Sequence, residues 1–244
     1  MIKKDLESYK VHDVDYQSVF DLKRSLEIVK RYDELDTYAQ NGFKAAVERI
    51  AGSIDTHIDI GTGTGWLLLK TAPFFSKVIG IEPSEHAVET AKEINKNSAN
   101  VQFIEADMID GLRRLEIEKP VFLTTAIVLS HIKDYYVREF LKEINVLPTG
   151  SVLYFHEPYD LNIQQRLWYI RSKEWWARNL SEWQLEFWDL AGEYKYGIFG
   201  RKVGRTEIKN TYRMRFYEKV GWFFNGLWNK VKRLGRAVKK IFNR

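Results

Sequence analysis

A glycine-rich turn between an apolar run and the start of an apolar helix constrains the fold of this chain more than any other feature. The stretch is THIDIGTGTGWLLLK, residues 56–70, and a second β-branched run, SKVIGIEP, follows at 76–83. A short strand, a turn with three glycines, a helix and another strand make a βαβ unit. Such a unit implies a parallel sheet, because the chain crosses over between its two strands.

Three further apolar runs predict more strands of the same sheet. They are VQFIEAD, VFLTTAIV and SVLYFHEP, and helical patterns around 84–95 and 133–145 separate them. The segments YKYGIFGRKVG and EIKNTYRMRFY are interpreted as a closing antiparallel hairpin. We therefore predict an α/β fold, a Rossmann-like doubly wound sheet that is mostly parallel.

Changes in composition divide the chain into four predicted parts. Residues 1–50 show helical spacing and form an N-terminal helical cap, and 51–160 form the Rossmann-like core. Residues 161–218 form a Trp-rich helical lid with the closing hairpin, and 219–244 form a basic amphipathic helix. The lid segment 166–190 holds five of the eight tryptophans. These rings either line an acceptor pocket, lie at lipid headgroups or pack the lid onto the sheet.

The glycine turn favours a nucleoside ligand over a dinucleotide. Its glycines let the backbone bend sharply and bring N–H groups close to a ligand at a helix start. The dinucleotide fingerprint requires another glycine three residues after Gly63, where this chain has Trp66, so a nicotinamide or flavin cofactor is disfavoured. Glu82 ends the second strand where a carboxylate can accept hydrogen bonds from a ribose.

Three segments together resemble the first three motifs of the class I S-adenosylmethionine-dependent methyltransferases: IDIGTGTG, GIEPS and IEADM. The resemblance covers roughly residues 50–160 and implies S-adenosylmethionine as the cofactor. It implies that Glu82 binds the ribose hydroxyls and that Asp107 and Met108 hold the adenine. The residues that it implies for the amino acid part of the cofactor are Asp59, Gly61, Thr62, Gly63 and Gly65.

Charge supports these roles but leaves alternatives open. A sulfonium cofactor is cationic and also carries an ammonium group, so Asp59 and main-chain donors suit it better than they suit a pyrophosphate. Asp59 or Asp107 could instead cap helices, and Glu82 could be a solvated strand end.

The loop after the fourth strand supplies the first candidate base. Many members of the family begin this strand with Asp, where this chain has Lys119, Pro120 and Val121, so a carboxylate base is not expected there. His131 follows in the loop, and an imidazole can take a hydroxyl proton near pH 7. Alternatively, His131 packs at the start of the helix that begins near Lys133.

His156 and Glu157 are the second candidates for a catalytic role. They end the predicted fifth strand, and ligands of open α/β sheets bind beyond the carboxyl ends of strands. Alternatively, this segment serves only structure, with Pro158 enforcing a turn. No metal is expected, because the chain has no cysteine and no carboxylates cluster after the fourth strand.

The last 26 residues predict a partner by their charge. Eight of the 38 Lys and Arg residues lie in 219–244, which contains no Asp or Glu, so the rest of the chain is slightly acidic. Apolar residues recur there every three or four positions: Phe224, Leu227, Trp228, Val231, Leu234, Val238, Ile241 and Phe242. Such a helix lies in a membrane interface, its stripe buried and its bases facing anionic lipid. It could instead dock on the protein body or grip RNA phosphates, although nucleic acid needs no apolar stripe.

These features predict a methyltransferase at a membrane surface. We expect O-methylation of a glycan or lipid-linked precursor, with His131 aligning or deprotonating the acceptor hydroxyl. The alternatives are a soluble small-molecule or RNA methyltransferase and a non-catalytic, cofactor-binding partner subunit. The polar first ten residues predict no signal peptide, and no run of about 18 uncharged apolar residues predicts a spanning helix. The expected location is cytoplasmic, peripheral at the inner face of the cell membrane.

Overall fold

The computed structural model describes residues 42–50, 52–157, 169–189 and 196–203, all within the unit that spans 1–211. The strands are β1 (Thr56–Ile60), β2 (Lys77–Glu82), β3 (Val101–Glu105), β4 (Val121–Ala126), β5 (Val152–His156), β6 (Trp183–Asp189) and β7 (Tyr196–Lys202). The helices are α1 (Gly42–Ile50), α2 (Trp66–Thr71), α3 (Glu85–Ile94), α4 (Met108–Arg113), α5 (Asp134–Asn145) and α6 (Lys173–Asn179). Short 3-10 helices lie at Ala72–Phe74 and Leu129–His131.

The seven strands form one sheet in the order β3-β2-β1-β4-β5-β7-β6. The first five strands are parallel, and β7 is antiparallel to both β5 and β6. The predicted Rossmann-like sheet with a final antiparallel hairpin is therefore confirmed. Strand order reverses between β1 and β4, which is where open α/β sheets bind their ligands.

Apolar side chains alternate between the two faces of the sheet, so helices cover both faces. On one face, Ile58 and Leu123 pack with Phe140 of α5 and Trp176 of α6. On the other face, Phe43 and Val47 of α1 and Leu68 of α2 pack against strand residues that include Phe122 and Tyr154. The strands β1, β2, β4 and β5 are almost entirely buried, which explains the continuous apolar runs in the sequence, because helices cover both faces of the sheet at these strands.

The Trp-rich segment differs from its prediction. Residues 166–190 were expected to be helical, but among the described residues of this segment the helix spans Lys173–Asn179 and Trp183–Asp189 form a strand. The physical reason is a period of two: Trp183 and Leu185 are buried, whereas the residues between and after them, Gln184 and Glu186, are exposed.

The strand β6 is therefore the hairpin partner of β7. The sequence predicted 207–217 as this partner, and that segment lies outside the described residues. Trp175, Trp176 and Trp183 are all buried, so these three rings pack the segment onto the sheet, as one of the interpretations of the lid predicted.

Only part of the predicted helical structure can be compared. Helix α1 confirms one of the helices expected before residue 50, while the earlier part of the cap and the predicted C-terminal helix lie outside the described residues. Ser84 and Asp107 cap α3 and α4 through side-chain oxygens, which fixes where these helices start beyond their strands. No helix within the described ranges is long and apolar enough to cross a bilayer.

Candidate functional site

The turn between β1 and α2 has a backbone that only glycine adopts easily. Gly61, Gly63 and Gly65 have φ angles of 66°, 53° and 68°, in the left-handed region. The first of them donates its N–H to the Ile81 carbonyl over 2.8 Å, which ties the turn to β2. A Cβ atom at Gly65 would lie 2.9 Å from the ring of Phe103, so the turn also needs glycine for close packing. Thr62 is buried within this turn.

Glu82 ends β2 directly beside the glycine turn. Its carboxylate accepts the N–H of Gly63 at Oε2 over 3.0 Å and the N–H of Ser84 at Oε1 over 3.1 Å. Burial raises the pKa of Glu82, and these two donors oppose the rise. Each carboxylate oxygen has about two lone-pair sites, so the carboxylate keeps acceptor capacity for ribose hydroxyls. The residue is buried, which contradicts the alternative of a solvated strand end.

Asp59 lies one strand away, near the carboxyl end of β1, and is also buried. Thr124 of β4, its partner in the strand register, donates its hydroxyl to Asp59 Oδ1 over 2.6 Å. Burial raises the pKa of Asp59 to about 7, although the hydrogen bond from Thr124 acts in the opposite direction. Asp59 caps no helix, since its carboxylate belongs to the interior of the sheet.

His57 extends this polar group below Asp59 on the same face of β1. Its Nε2 lies 2.8 Å from Thr124 Oγ1, and its Nδ1 lies 3.0 Å from Thr71 Oγ1. Burial lowers the pKa of His57 to about 3, so the imidazole is neutral at physiological pH. Sequence reasoning missed both His57 and Thr124. The available signal was a histidine inside an otherwise apolar strand.

Asp107 and Met108 follow β3 at the same edge of the sheet. Oδ1 of Asp107 accepts the N–H groups of Ile109 and Asp110 over 2.9 and 3.0 Å, so the residue does cap α4. Met108 is buried in the apolar core. The cap places both residues beyond the carboxyl end of β3, and their role toward an adenine stays a prediction.

The turn after β4, residues 127–132, brings His131 to this end of the sheet. It begins with Ile127 in the left-handed region, at a φ of 55°, and contains the 3-10 helix that ends at His131. The side chain of Val128 lies against the glycine turn: a Cβ at Gly61 would be 2.5 Å from its Cγ2. His131 precedes α5, which begins at Asp134, and is half-buried. The turn of His131 is thus in direct contact with the predicted cofactor turn.

His156 and Glu157 are both buried at the end of β5, where His156 is paired with Ala126 of β4. The Glu157 carboxylate accepts three successive N–H groups, from Val128, Leu129 and Ser130, over 2.8 to 3.0 Å. Burial raises the pKa of Glu157, and these donors oppose the rise. Its carboxylate therefore binds the turn of His131, and catalytic roles for Glu157 and His156 stay predictions.

The polar groups of this region fit a nucleoside ligand that carries a cationic group. Two buried carboxylates and a glycine turn meet at the carboxyl ends of β1 and β2, and a histidine turn adjoins them. Within the described residues, no three His, Asp or Glu side chains are grouped as metal ligands. A cavity of about 490 Å³ lies at the opposite, amino ends of the strands, lined by Thr56, Lys77 and Val121 among others, and takes no part in this site.

Comparison with known proteins agrees with this geometry. A family model described as a methyltransferase domain matches residues 58–147, which include the end of β1, the strands β2 to β4 and the turn of His131. An uncharacterised protein of Methanocaldococcus jannaschii is 29% identical over 119 residues. That match covers 45% of this chain and 46% of the relative, so the chain spans less than half of the relative's length.

Solved structures share the fold at low sequence identity. A complex of DhpI with S-adenosylhomocysteine has a TM-score of 0.55 and 17% identity, covering 82% of this chain and 98% of that chain. The N-methyltransferase NodS from Bradyrhizobium japonicum, in complex with S-adenosylhomocysteine, has a TM-score of 0.51 and 17% identity, covering 64% of this chain and 83% of that chain. At such identity these structures show a common fold.

Proposed function

We propose that this chain is a class I S-adenosylmethionine-dependent methyltransferase and that it methylates a hydroxyl group of a glycan or a lipid-linked precursor. One observation carries the proposal: the turn that bears His131 packs on the cofactor turn through Val128 and Gly61. An acceptor near His131 would therefore lie close to a methyl donor held by the glycine turn. Proximity of this kind is the main requirement of an in-line displacement.

The buried carboxylates fit the cofactor of the family. S-Adenosylmethionine supplies an electrophilic methyl group on a cationic sulfonium. Glu82 has acceptor capacity left for the two ribose hydroxyls after its two main-chain donors are counted. Asp59, when ionised, would attract the ammonium group of the amino acid part. The glycine turn lets the ligand approach the main chain closely, as no side chain projects there.

His131 would act on the acceptor rather than on the cofactor. A hydroxyl oxygen loses its proton when a methyl group is transferred to it, and an imidazole can accept that proton near neutral pH. Two exposed tyrosines accompany the turn of His131: Tyr135 in the first turn of α5, and Tyr169, whose N–H is 2.7 Å from the Ser130 carbonyl. Their ring faces suit the apolar face of a sugar, which supports a glycan acceptor.

The membrane surface enters the proposal through the sequence of 219–244, which lies outside the described residues. Its apolar stripe and its eight bases suit the interface of an anionic membrane, where each base contributes up to about 1 kcal/mol. We propose a peripheral position at the cytoplasmic face of the cell membrane. Such a position would bring the enzyme to lipid-linked acceptors.

Two assays test catalysis. Isothermal titration with S-adenosylhomocysteine measures cofactor binding, and transfer of a radiolabelled methyl group from S-adenosylmethionine to a lipid-linked glycan fraction measures turnover. We expect H131Q to keep S-adenosylhomocysteine affinity and to lose most of the turnover. H86Q, which changes an exposed histidine in α3, is the matched control. Equal turnover by H131Q and the wild type would remove His131 from the mechanism, and an absence of cofactor binding would overturn the proposed activity.

Co-sedimentation with liposomes tests the membrane position. We expect the full chain, but not a chain that ends at Glu218, to sediment with vesicles of anionic lipid, and sedimentation to weaken at high salt. Cofactor binding without sedimentation would instead favour a soluble small-molecule acceptor. Salt-sensitive binding to RNA by the same segment would favour an RNA acceptor. Cofactor binding without transfer to any acceptor would favour a partner subunit.

A further inference from the structure

We propose that Glu157 and Arg171 are positioning residues that hold the turn 127–132, and with it His131, against the cofactor turn. This inference rests on the proposed function, because it assigns the two residues to the geometry between donor and acceptor. Glu157 follows β5, and Arg171 immediately precedes the Ser172 cap of α6. Both side chains are almost completely buried, at 1% and 3% exposure.

Glu157 binds the amide side of the turn with both oxygens. Oε1 accepts the N–H groups of Val128 and Leu129 over 2.8 and 2.9 Å, and Oε2 accepts that of Ser130 over 3.0 Å. Oε1 also lies 3.4 Å from the Thr125 hydroxyl. Successive N–H groups of a tight turn point the same way, and a carboxylate satisfies them better than a neutral acceptor does.

Arg171 binds the carbonyl side of the same turn. Nη1 donates to the Leu129 carbonyl over 2.8 Å and to the Tyr169 carbonyl over 3.1 Å, and Nη2 donates to the Ile132 carbonyl over 2.5 Å. Nη2 also pairs with Asp134 over 2.9 Å. The rigid fork of a guanidinium can hold several carbonyls at fixed spacing, which a lysine cannot do. Opposite charges therefore hold the two polar sides of one turn.

Stabilising a turn with two buried charges costs more free energy than stabilising it with apolar residues, so the hydrogen bonds of these charges are expected to serve a further purpose. Burying an ion costs free energy that pairing only partly returns, and apolar residues of similar volume often stabilise a fold as well or better. What a fully bonded pair adds is a defined position for the groups that it binds. Here those groups are main-chain atoms from 128 to 132, and His131 lies within that span.

The held turn is also the part of the chain that contacts the cofactor turn. Ile127 enters it with a positive φ, a conformation that a β-branched residue keeps only when its surroundings enforce it. Val128 then lies on Gly61. A shift of the turn would therefore change the distance of His131 from a methyl donor held by the glycine turn. Such small displacements are costly for methyl transfer.

E157Q in the full chain is the primary variant. The amide can place its oxygen toward Val128 and Leu129, but its NH₂ group then faces the N–H of Ser130, donor against donor. We expect hydrogen exchange at Ser130 to accelerate on the order of tenfold or more, with smaller changes at its two neighbours. E118Q, the same change at an exposed carboxylate near the amino ends of the strands, should leave these amides unchanged.

Two further readings separate a positioning role from a general loss of stability. The amides of β1 and β2 should exchange as in the wild type, and the NMR signals of the His131 ring, assigned by their absence in H131Q, should move while those of His86 stay. S-Adenosylhomocysteine affinity should stay within about threefold of the wild type, because Glu82 and Asp59 are untouched.

The outcomes distinguish this inference from the proposed function. Unchanged exchange at 128–130, unchanged His131 signals, or acceleration spread evenly over the sheet would each overturn the positioning role. Failure of the wild type to bind S-adenosylhomocysteine would overturn the proposed function. The exchange data would still decide whether Glu157 and Arg171 hold the turn 127–132. If E157Q does not fold, R171K carries the test, since it keeps the buried charge and loses the fork; faster exchange local to the turn is again expected.

Discussion

The Thr124 hydroxyl donates its proton to Asp59 Oδ1 over 2.6 Å, between directly paired residues of the two central strands. A hydroxyl has one proton, so His57, whose Nε2 lies 2.8 Å from the same oxygen, must donate its own Nε2–H when Asp59 is ionised. The other ring nitrogen is then an acceptor 3.0 Å from the Thr71 hydroxyl, which also lies within hydrogen-bond distance of the Leu67 and Leu68 carbonyls. These residues form a buried chain of hydrogen bonds that ends at Asp59 and keeps its carboxylate an acceptor.

Removing the Thr124 hydroxyl, the hydrogen-bond donor to Asp59, should weaken cofactor binding. Valine has nearly the shape of threonine, so T124V deletes the hydroxyl with little loss of packing. The pKa of Asp59 should then rise above about 7, because a donor that stabilised its ionised form is gone. We expect S-adenosylhomocysteine to bind about three- to tenfold more weakly at pH 7.5 in isothermal titration. T56V, at the start of β1, is the control, and equal affinities for the two variants would contradict the assignment.

Cofactor affinity should depend on pH near neutrality. Asp59 has a pKa of about 7 in the folded chain, and only its ionised form attracts the ammonium group of the ligand. Affinity for S-adenosylhomocysteine should therefore fall as the pH decreases from about 8 to about 6 and level off above 8. Titrations across this range provide the measurement. D59N should abolish the dependence, and a flat profile in the wild type would show that Asp59 does not contact the charged part of the ligand.

The same carboxylate should lower the stability of the ligand-free protein at neutral pH. The pKa of Asp59 is about 7 when folded and about 3.8 when unfolded, so the folded state binds the proton more tightly. The contribution of Asp59 to stability is then greatest below pH 3.8, falls as the pH rises through this window and levels off above about 7. D59N should raise the free energy of unfolding on the order of 2 kcal/mol at pH 8, and by less at pH 5.

Urea denaturation at the two pH values measures this gain. D55N, the same change at an exposed residue just before β1, is the matched control. An equal gain from D59N at pH 5 and pH 8 would point to a packing effect rather than to ionisation.

Glu82 should be required for binding the nucleoside. E82Q keeps the shape of the side chain but removes the charge and half of the acceptor capacity, so one of the two main-chain donors or a ribose hydroxyl loses its partner. We expect affinity for S-adenosylhomocysteine to fall about 10- to 100-fold in isothermal titration. E105Q provides the control, since Glu105 is the register partner of Glu82 on β3 but is exposed. A similar loss in both variants would mean a nonspecific effect of charge.

The five parallel strands and the position of the cofactor turn could be predicted from sequence because their signals are local. Continuous apolar runs mark the buried strands, and closely spaced glycines mark the turn. The strand at Trp183–Asp189 was missed, since aromatic residues near helix α6 suggested one long helix, whereas the alternation of Trp183, Gln184 and Leu185 follows the strand period.

Long-range pairings within the site could not be predicted in the same way. The bond between Thr124 and Asp59 spans 65 residues, and the contact of Arg171 with the Leu129 carbonyl spans 42. Neither pair has a spacing that the sequence reveals, because the strand order of the folded sheet brings them together. Glu157 was predicted as a second catalytic candidate from its place at the end of β5, which stays a prediction, and its bonds to the turn of His131 depend on the path of that turn.

The contact between the cofactor turn and the turn of His131 can be measured through one methyl group. G61A places a Cβ 2.5 Å from Cγ2 of Val128 in a backbone with a φ of 66°, so it combines backbone strain with a clash. G52A provides the strain alone, as Gly52 has a φ of 76° and no atom within 4 Å of its added Cβ. We expect G52A to lower the free energy of unfolding by about 1 kcal/mol and G61A by about 2 to 4 kcal/mol.

The second substitution V128A separates the two contributions at Gly61. It removes both Cγ atoms that the new Cβ would meet and leaves only the Cβ of residue 128, 3.3 Å away, so G61A/V128A should relieve most of the clash and keep the backbone strain. S-Adenosylhomocysteine affinity, low in G61A, should recover in the double variant, because the glycine turn can return to its place. A double variant no better than the sum of its parts would mean that the two turns are not coupled through this contact. Recovery would show that the turn of His131 and the turn that holds the cofactor are positioned against each other.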